Sequence, residues 1–271
     1  MIDSKTKLVC LLGKPAKHSL SPAMQNAGFN ALGLNFVYLA FEPENLKKTV
    51  DGLKEMGVAG FNVTMPFKAE IMKHLDRIDP IAKQIGAVNT VVNTGKDLVG
   101  YNTDGVGAIE SLKKVTSLRG KRVLLIGAGG AGKAIGFYLK NEGAKITIAN
   151  KPELQAIKLA KILDETSIYL DSINSLEEFD ILINATPAGM KPDTEATAIP
   201  TSLLKKELVV FDIVYEPMET KLLKEAKKKG CRTINGLEML LNQGYAGFKL
   251  FTGQEAPREE MREAIMKELK K

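Results

Sequence analysis

The chain has 271 residues, 44% of them hydrophobic and 26% charged, with a formal net charge of +6. Such values suit one large or two modest folded domains and exclude a disordered chain. The lysines behind the charge are scattered along helical patterns, as at Lys205-Lys206 and Lys227 to Lys229, without the aromatic-interleaved basic stripe of a nucleic-acid binder, so anionic small molecules are the expected partners.

Residues 8–12 form a short apolar strand pattern that Gly13-Lys14-Pro15 ends. In the segment that follows, Ser21 is placed as an N-cap, Pro22 as the first helical residue and Gly33 as the stop. A strand is expected at 34–41, a helix at 44–56 with Leu46, Val50 and Leu53 along one face, and a strand at 58–63. Pro66 marks another helix start, which puts Lys68 early in that helix. Strand patterns return at 87–92 and 98–101 around a hairpin turn at 93–96. These residues read as an α/β domain of their own.

A helix from Asp104 to about Val115 leads into KRVLLIGAGGAGKAIG at 121–136. Val123 to Ile126 suit a strand buried on both faces. Glycines then fall at 127, 129 and 132, with a helix pattern behind them. In that context Gly127 allows a tight turn, Gly129 lets backbone approach a pyrophosphate, and Gly132 lets helix and strand pack closely. The helix N-terminus offers amides to an anion. A dinucleotide is therefore expected. The next strand, 145–151, ends without the Asp or Glu that usually holds the ribose hydroxyls of NAD. Asn150 and Lys151 stand there instead, and a cation without a carboxylate favours the 2′-phosphate of NADP.

Strands at 181–184, 208–213 and 231–234, with helices at 153–164 and 218–229, complete a largely parallel sheet. After Gly236 the chain reads as helical to its end, broken at 253–257. Those helices are expected to return to the first domain. The fold class is α/β with two domains: an N-terminal α/β substrate domain, 1–103 plus 238–271, and a Rossmann-type doubly wound parallel-sheet domain, 104–237. The active site is expected in the cleft between them. Cys10 and Cys231 lie in apolar strand-like runs and read as buried thiols; without C-x-x-C or a histidine cluster no metal is expected. No signal peptide and no long apolar run is visible, so a cytoplasmic protein without membrane contact is expected, as monomer or homodimer.

A nicotinamide enzyme acting on a carbonyl needs a proton donor beside the oxygen and polar groups around the substrate. Lys68, after a strand, and Asp104, at a helix N-terminus, suit a pair that binds a hydroxyl and passes its proton. Ser19 and Ser21 suit an anion, or capping.

HSLSP (18–22), FNVTMPFK (61–68), GAVNT (86–90), YNTDG (101–105), GAGGAG (127–132), NATPAGM (184–190), DIVYEPMET (212–220) and NGLEMLLNQG (235–244) resemble, in order, the blocks of the shikimate dehydrogenase family. The resemblance spans almost the whole chain. It implies reversible, NADPH-dependent reduction of 3-dehydroshikimate to shikimate, on the route to chorismate and aromatic amino acids. By the same resemblance Ser19 and Ser21 bind the substrate carboxylate. Thr64, Lys68, Asn89, Asp104 and Gln243 hold the ring hydroxyls and the reacting oxygen, with Lys68 and Asp104 as the catalytic pair, and Tyr215 borders the substrate. Gly127, Ala128, Gly129, Gly130 and Ala131 take the pyrophosphate and Asn150 with Lys151 the ribose phosphate. Thr186, Ile213, Gly236 and Met239 line the nicotinamide end.

One departure is informative. NADP-preferring members usually carry Arg after the Asn, whereas this chain has Lys151 and Pro152. Lysine gives the charge without the planar fork that stacks on adenine, which implies a weaker preference for NADP. The alternatives are a quinate/shikimate dehydrogenase using NAD and a non-catalytic sensor on the same fold. A tetrahydrofolate-type dehydrogenase is more distant still, lacking the serine pair and the Gln243 block.

Overall fold

Short runs rich in β-branched and aliphatic residues alternate with helix-forming stretches, and they build two sheets. The computed structural model describes residues 2–270. The chain divides into two compact units, one running up to Thr103 and resuming at Gln243, the other Asp104–Asn242. The second junction falls at 242–243, a few residues past the expected 237–238 and inside the same continuous helix, so no loop marks it in the sequence.

In chain order the first unit holds β1 (Lys7–Leu12), α1 (Ser21–Ala31), β2 (Phe36–Phe41), α2 (Leu46–Glu55) and β3 (Gly60–Val63). Then come a 3-10 turn at Glu70–His74, β4 (Arg77–Ile78), α3 (Pro80–Ile85), β5 (Thr90–Asn93) and β6 (Leu98–Tyr101). The sheet order is β2-β1-β3-β5-β6-β4. Strand β5 runs antiparallel to β3 and β6, while β1 is parallel to β2 and β3. Cys10, Leu12, Phe61, Val63 and Val91 pack on Leu46, Val50 and Leu53 of α2. Each such fully buried side chain contributes about 1.5–3 kcal/mol.

Two local expectations fail. Leu20, not Ser21, is the N-cap of α1, with no side-chain cap bond. Ser21 donates its backbone N–H to Ser19 Oγ at 3.2 Å, so Ser19 closes a local turn before the helix. Pro66 sits within a turn and does not start a helix: Phe67 N bonds Thr64 O at 2.9 Å across it, and only the 3-10 turn follows.

The second unit begins with α4 (Thr103–Lys113), which starts one residue before the junction, and continues through β7 (Arg122–Ile126), α5 (Gly130–Asn141), β8 (Lys145–Asn150), α6 (Glu153–Leu163) and β9 (Thr166–Tyr169). Beyond them lie β10 (Ile181–Asn184), β11 (Val209–Asp212), α7 (Lys221–Lys228) and β12 (Arg232–Ile234). Every pair in its sheet, ordered β12-β11-β10-β7-β8-β9, is parallel. Burial on both faces explains the unbroken apolar runs of β7, β10 and β11. Strands β4 and β9 carry no signal that sequence reading detects.

Helix α8 (Gly236–Thr252) leaves the second unit and ends in the first, where α9 (Arg258–Glu268) follows. Phe248 stacks on Phe29 of α1 with ring centroids 5.3 Å apart. Gly28 makes this possible, since a Cβ there would lie 2.8 Å from the Phe248 ring. Cys10 and Cys231 are both buried free thiols, and burial pushes the Cys10 thiol up to about 12. Among the described residues no helix is long and apolar enough to cross a membrane.

Candidate functional site

Because its strands are all parallel, the second sheet presents all their C-terminal ends along one edge. The register sets Ile126 beside Ala149 and Asn184, Asn184 beside Asp212, and Asn150 beside Tyr169. The residues that follow therefore emerge together: Gly127 to Ala131 after β7, Lys151 after β8, Thr186 after β10, Ile213 after β11. Gly236 and Met239 open α8 just past β12.

The glycine turn at this edge fits a pyrophosphate. Gly127 has φ +109°, and a Cβ on it would meet Ala185 O at 2.7 Å. A Cβ on Gly132 would sit 1.9 Å from Gly127 O, so the helix packs against the turn only with glycine there. Gly129 and Gly130 differ, with nothing within 4 Å of an added Cβ. Open space thus lies ahead of the α5 N-terminus, where backbone amides point outward.

The Asn150 side chain is used inside the protein. Its Oδ1 accepts the Ala128 N–H at 3.0 Å, and its Nδ2 donates to Pro152 O at 2.7 Å. It thereby ties the end of β8 to the glycine turn and fixes both. Lys151 is exposed and donates to Asp171 Oδ2 at 2.9 Å.

Behind Thr186 and Ile213 lies a network that sequence reading missed. Asp212 is fully buried and accepts from Asn184 Nδ2 at 3.0 Å, Val214 N at 3.1 Å and Thr220 Oγ1 at 2.7 Å. Asn184 Oδ1 in turn accepts the Thr186 N–H at 3.0 Å and its hydroxyl at 2.6 Å. Burial holds the Asp212 carboxyl above its usual range, against the pull of those donors. Tyr215, next along, is also raised by burial and then by Glu216.

In the first unit the antiparallel strand β5 brings Asn89 to the edge where β3 and β6 end. Val63 N bonds Asn89 O at 2.8 Å, and Asn89 N bonds Tyr101 O at 3.1 Å. Asn89 is buried; its Oδ1 accepts the Thr103 N–H at 2.8 Å, and its Nδ2 donates to Thr103 Oγ1 at 3.0 Å. The Thr103 hydroxyl donates to Gln243 Oε1 at 3.4 Å. Val88 N bonds Lys68 O at 2.8 Å, so the Lys68 backbone is tied to the neighbour of Asn89. Asp104, also buried, is the residue after Thr103.

Asn62 extends this cluster, donating to Asn89 O at 3.0 Å and Thr90 Oγ1 at 2.9 Å. It accepts from the Tyr38 hydroxyl at 2.8 Å, and Ser21 hydrogen-bonds the same phenol. Burial, with a smaller contribution from Cys10, raises that phenol well above its ordinary value. Hydrogen bonds thus run from the serine pair through Tyr38, Asn62, Asn89 and Thr103 to Gln243. Tyr38, Asn62 and Thr103 were not picked out from sequence, although Asn62 and Thr103 lie within the quoted FNVTMPFK and YNTDG segments. Two hydroxyl or amide residues in one short motif were the available signal.

Comparison with known proteins identifies the family. Residues 11–91 match the model of the shikimate dehydrogenase substrate binding domain, and residues 110–229 that of shikimate/quinate 5-dehydrogenase. Residues 236–266 match the shikimate 5′-dehydrogenase C-terminal domain. The chain is 45% identical to shikimate dehydrogenase (NADP(+)) of Methanocaldococcus jannaschii, over 100% of each. It is similar to a crystal structure of a shikimate dehydrogenase in complex with NADP+, with TM-score 0.95, 45% identity and coverage of 100% of this chain and 98% of that one. It is also similar to the shikimate 5-dehydrogenase of Listeria monocytogenes in complex with shikimate and NAD, with TM-score 0.92, 39% identity and 97% of each chain covered. Its α/β class is that of these enzymes. The chain belongs to the shikimate dehydrogenase family.

Proposed function

We propose that the chain is an NADP-dependent shikimate dehydrogenase, an oxidoreductase that reversibly reduces 3-dehydroshikimate to shikimate on the route to chorismate and aromatic amino acids. One observation carries the assignment of the chemistry. The backbones of Lys68 and Asp104 are each anchored beside Asn89, one through Val88 and the other through Thr103. Polar groups fixed by one hydrogen-bonded cluster suit a small polyhydroxylated acid, and an analogue lacking a hydroxyl would leave some of them unpaired.

Ser19 and Ser21 hold the substrate carboxylate. Thr64, Asn89 and Gln243 orient the ring hydroxyls, with Tyr215 at the border. In the reducing direction the Lys68 ammonium gives a proton to the carbonyl oxygen, and in the oxidising direction the neutral amine takes it from the hydroxyl. Asp104 accepts the hydrogen bond of the alcohol form's hydroxyl and supports the charge on Lys68. Bound NADPH supplies the hydride. Gly127, Gly129, Gly130 and Ala131 hold its pyrophosphate, Lys151 its 2′-phosphate, and Thr186, Ile213, Gly236 and Met239 the nicotinamide end. Ala128 and Asn150 shape the turn through their mutual hydrogen bond. The enzyme is taken to be cytoplasmic, as monomer or homodimer.

The test is shikimate oxidation by the purified protein with NADP+ and NAD+ in parallel, followed at the nicotinamide absorbance. Turnover favouring NADP+ is expected. Equal or better turnover with NAD+ would overturn the cofactor assignment, and shikimate binding without turnover would make the protein a sensor.

A further inference from the structure

The pairing of Asn150 with Tyr169 makes the residues beyond β8 and β9 emerge side by side. Lys151 is the first residue past β8, and Asp171 lies in the 3-10 turn Leu170–Ser172 past β9. The two side chains meet at 2.9 Å, with 71% and 76% of their surfaces exposed. Asp171 raises the Lys151 pKa, and Glu153 in the first turn of α6 adds a smaller contribution. The one cation assigned to the 2′-phosphate therefore already has an anion on it.

We propose that Asp171 is a specificity-determining residue for the cofactor: it is the counter-ion with which a 2′-phosphate competes for Lys151, and it lowers the preference for NADP that Lys151 creates. This rests on the reading of Lys151 as the phosphate-binding cation. An ammonium has three donors and can meet two anions, but the carboxylate and the phosphate then repel each other across it. Asp171 also borders an open cavity of about 500 Å³, formed with Leu170, Ile173, Ile199 and Pro200. With 76% of its surface exposed, the Asp171 carboxylate stays in water when released, so the exchange is decided by charge. Cofactors without a 2′-phosphate leave the ion pair as it is. For an exposed pair the effect is modest, about twofold to fivefold in the ratio of affinities.

Calorimetric titration of the full chain with NADP+ and with NAD+ tests this, independently of turnover. In Asp171→Asn the ratio of NADP+ to NAD+ affinity rises about twofold to fivefold, and the gain shrinks at high salt as screening predicts. Measured against Lys151→Ala, the gain in Lys151→Ala/Asp171→Asn is smaller, because competition for the cation is gone and only repulsion through water remains; an undiminished gain overturns the competition for Lys151. Glu153→Gln raises the ratio by less. An unchanged or lower ratio in Asp171→Asn, together with a lowered ratio in Lys151→Ala, overturns the role of Asp171 and leaves the Lys151 assignment standing. A ratio that Lys151→Ala does not move overturns both.

Discussion

In the second unit β7, β8, β10 and β11 all run the same way, so one sheet edge gathers Gly129, Lys151, Thr186 and Ile213 without any further device. In the first unit β5 runs against its neighbours, and Asn89 enters the equivalent edge from the start of a strand while Thr64 and Thr103 leave from strand ends. Backbone register alone does not orient those side chains. A partly buried web of amide and hydroxyl hydrogen bonds orients Asn89 and Thr103, running from Tyr38 and Asn62 to Gln243. The edge proposed for the cofactor is thus built mainly from backbone and glycine, and the edge proposed for the substrate from paired side chains. Damage to the first should appear in packing and cofactor affinity, and damage to the second in chemistry and substrate recognition.

The largest test of that division is Lys68→Ala. Loss of a general acid–base group lowers turnover by about 10²–10⁴-fold. NADPH affinity, measured by calorimetry, stays unchanged within about twofold, because Lys68 belongs to the substrate unit. Turnover near that of the wild type would remove Lys68 from the chemistry.

Within the cofactor edge two glycines separate packing from binding. Gly132→Ala places a Cβ on Gly127 O and should cost about 1–3 kcal/mol of unfolding free energy, read in a denaturant melt. Gly129→Ala meets open space, so its melt should match the wild type. It should instead weaken NADP+ binding by on the order of tenfold, the loss of about one hydrogen bond to a charged group. Equal destabilisation by the two variants would erase the distinction.

The smallest expected effect compares two carboxyls of opposite character. Burial raises Asp212, so the folded state holds its proton more tightly than the unfolded chain does. Stability therefore falls as pH rises from the ordinary carboxylate value through the raised one. Asp76 is lowered by the Leu98 N–H and then by Lys54, so its contribution is present above the ordinary value and is lost as pH falls through its folded value. Urea midpoints from about pH 3 to pH 7 should show Asp212→Asn and Asp76→Asn removing pH dependence of opposite sign. Slopes of the same sign would contradict the assigned environments.

The sequence by itself determined the α/β class, the glycine turn between β7 and α5, and the absence of a carboxylate at the end of β8. Each rests on local chemistry: an apolar run buried on both faces, glycines where a Cβ would collide, and a residue type at a strand end. It did not disclose β4 and β9. Such short edge strands carry no period of their own and form because a neighbour offers hydrogen bonds. Nor did it place Ser19 rather than Ser21 as the turn-closing hydroxyl, or show that Asn150 would be spent on Ala128, since both depend on which backbone amide comes within reach. The buried Asp212 and Tyr38 networks likewise exist only once distant strands are side by side. Lys151 shows the division most simply. Its charge is fixed by residue type, but the anion it meets is set by the pairing of β8 with β9, because backbone hydrogen bonds between strands, and not side-chain pattern, decide which loops share an edge.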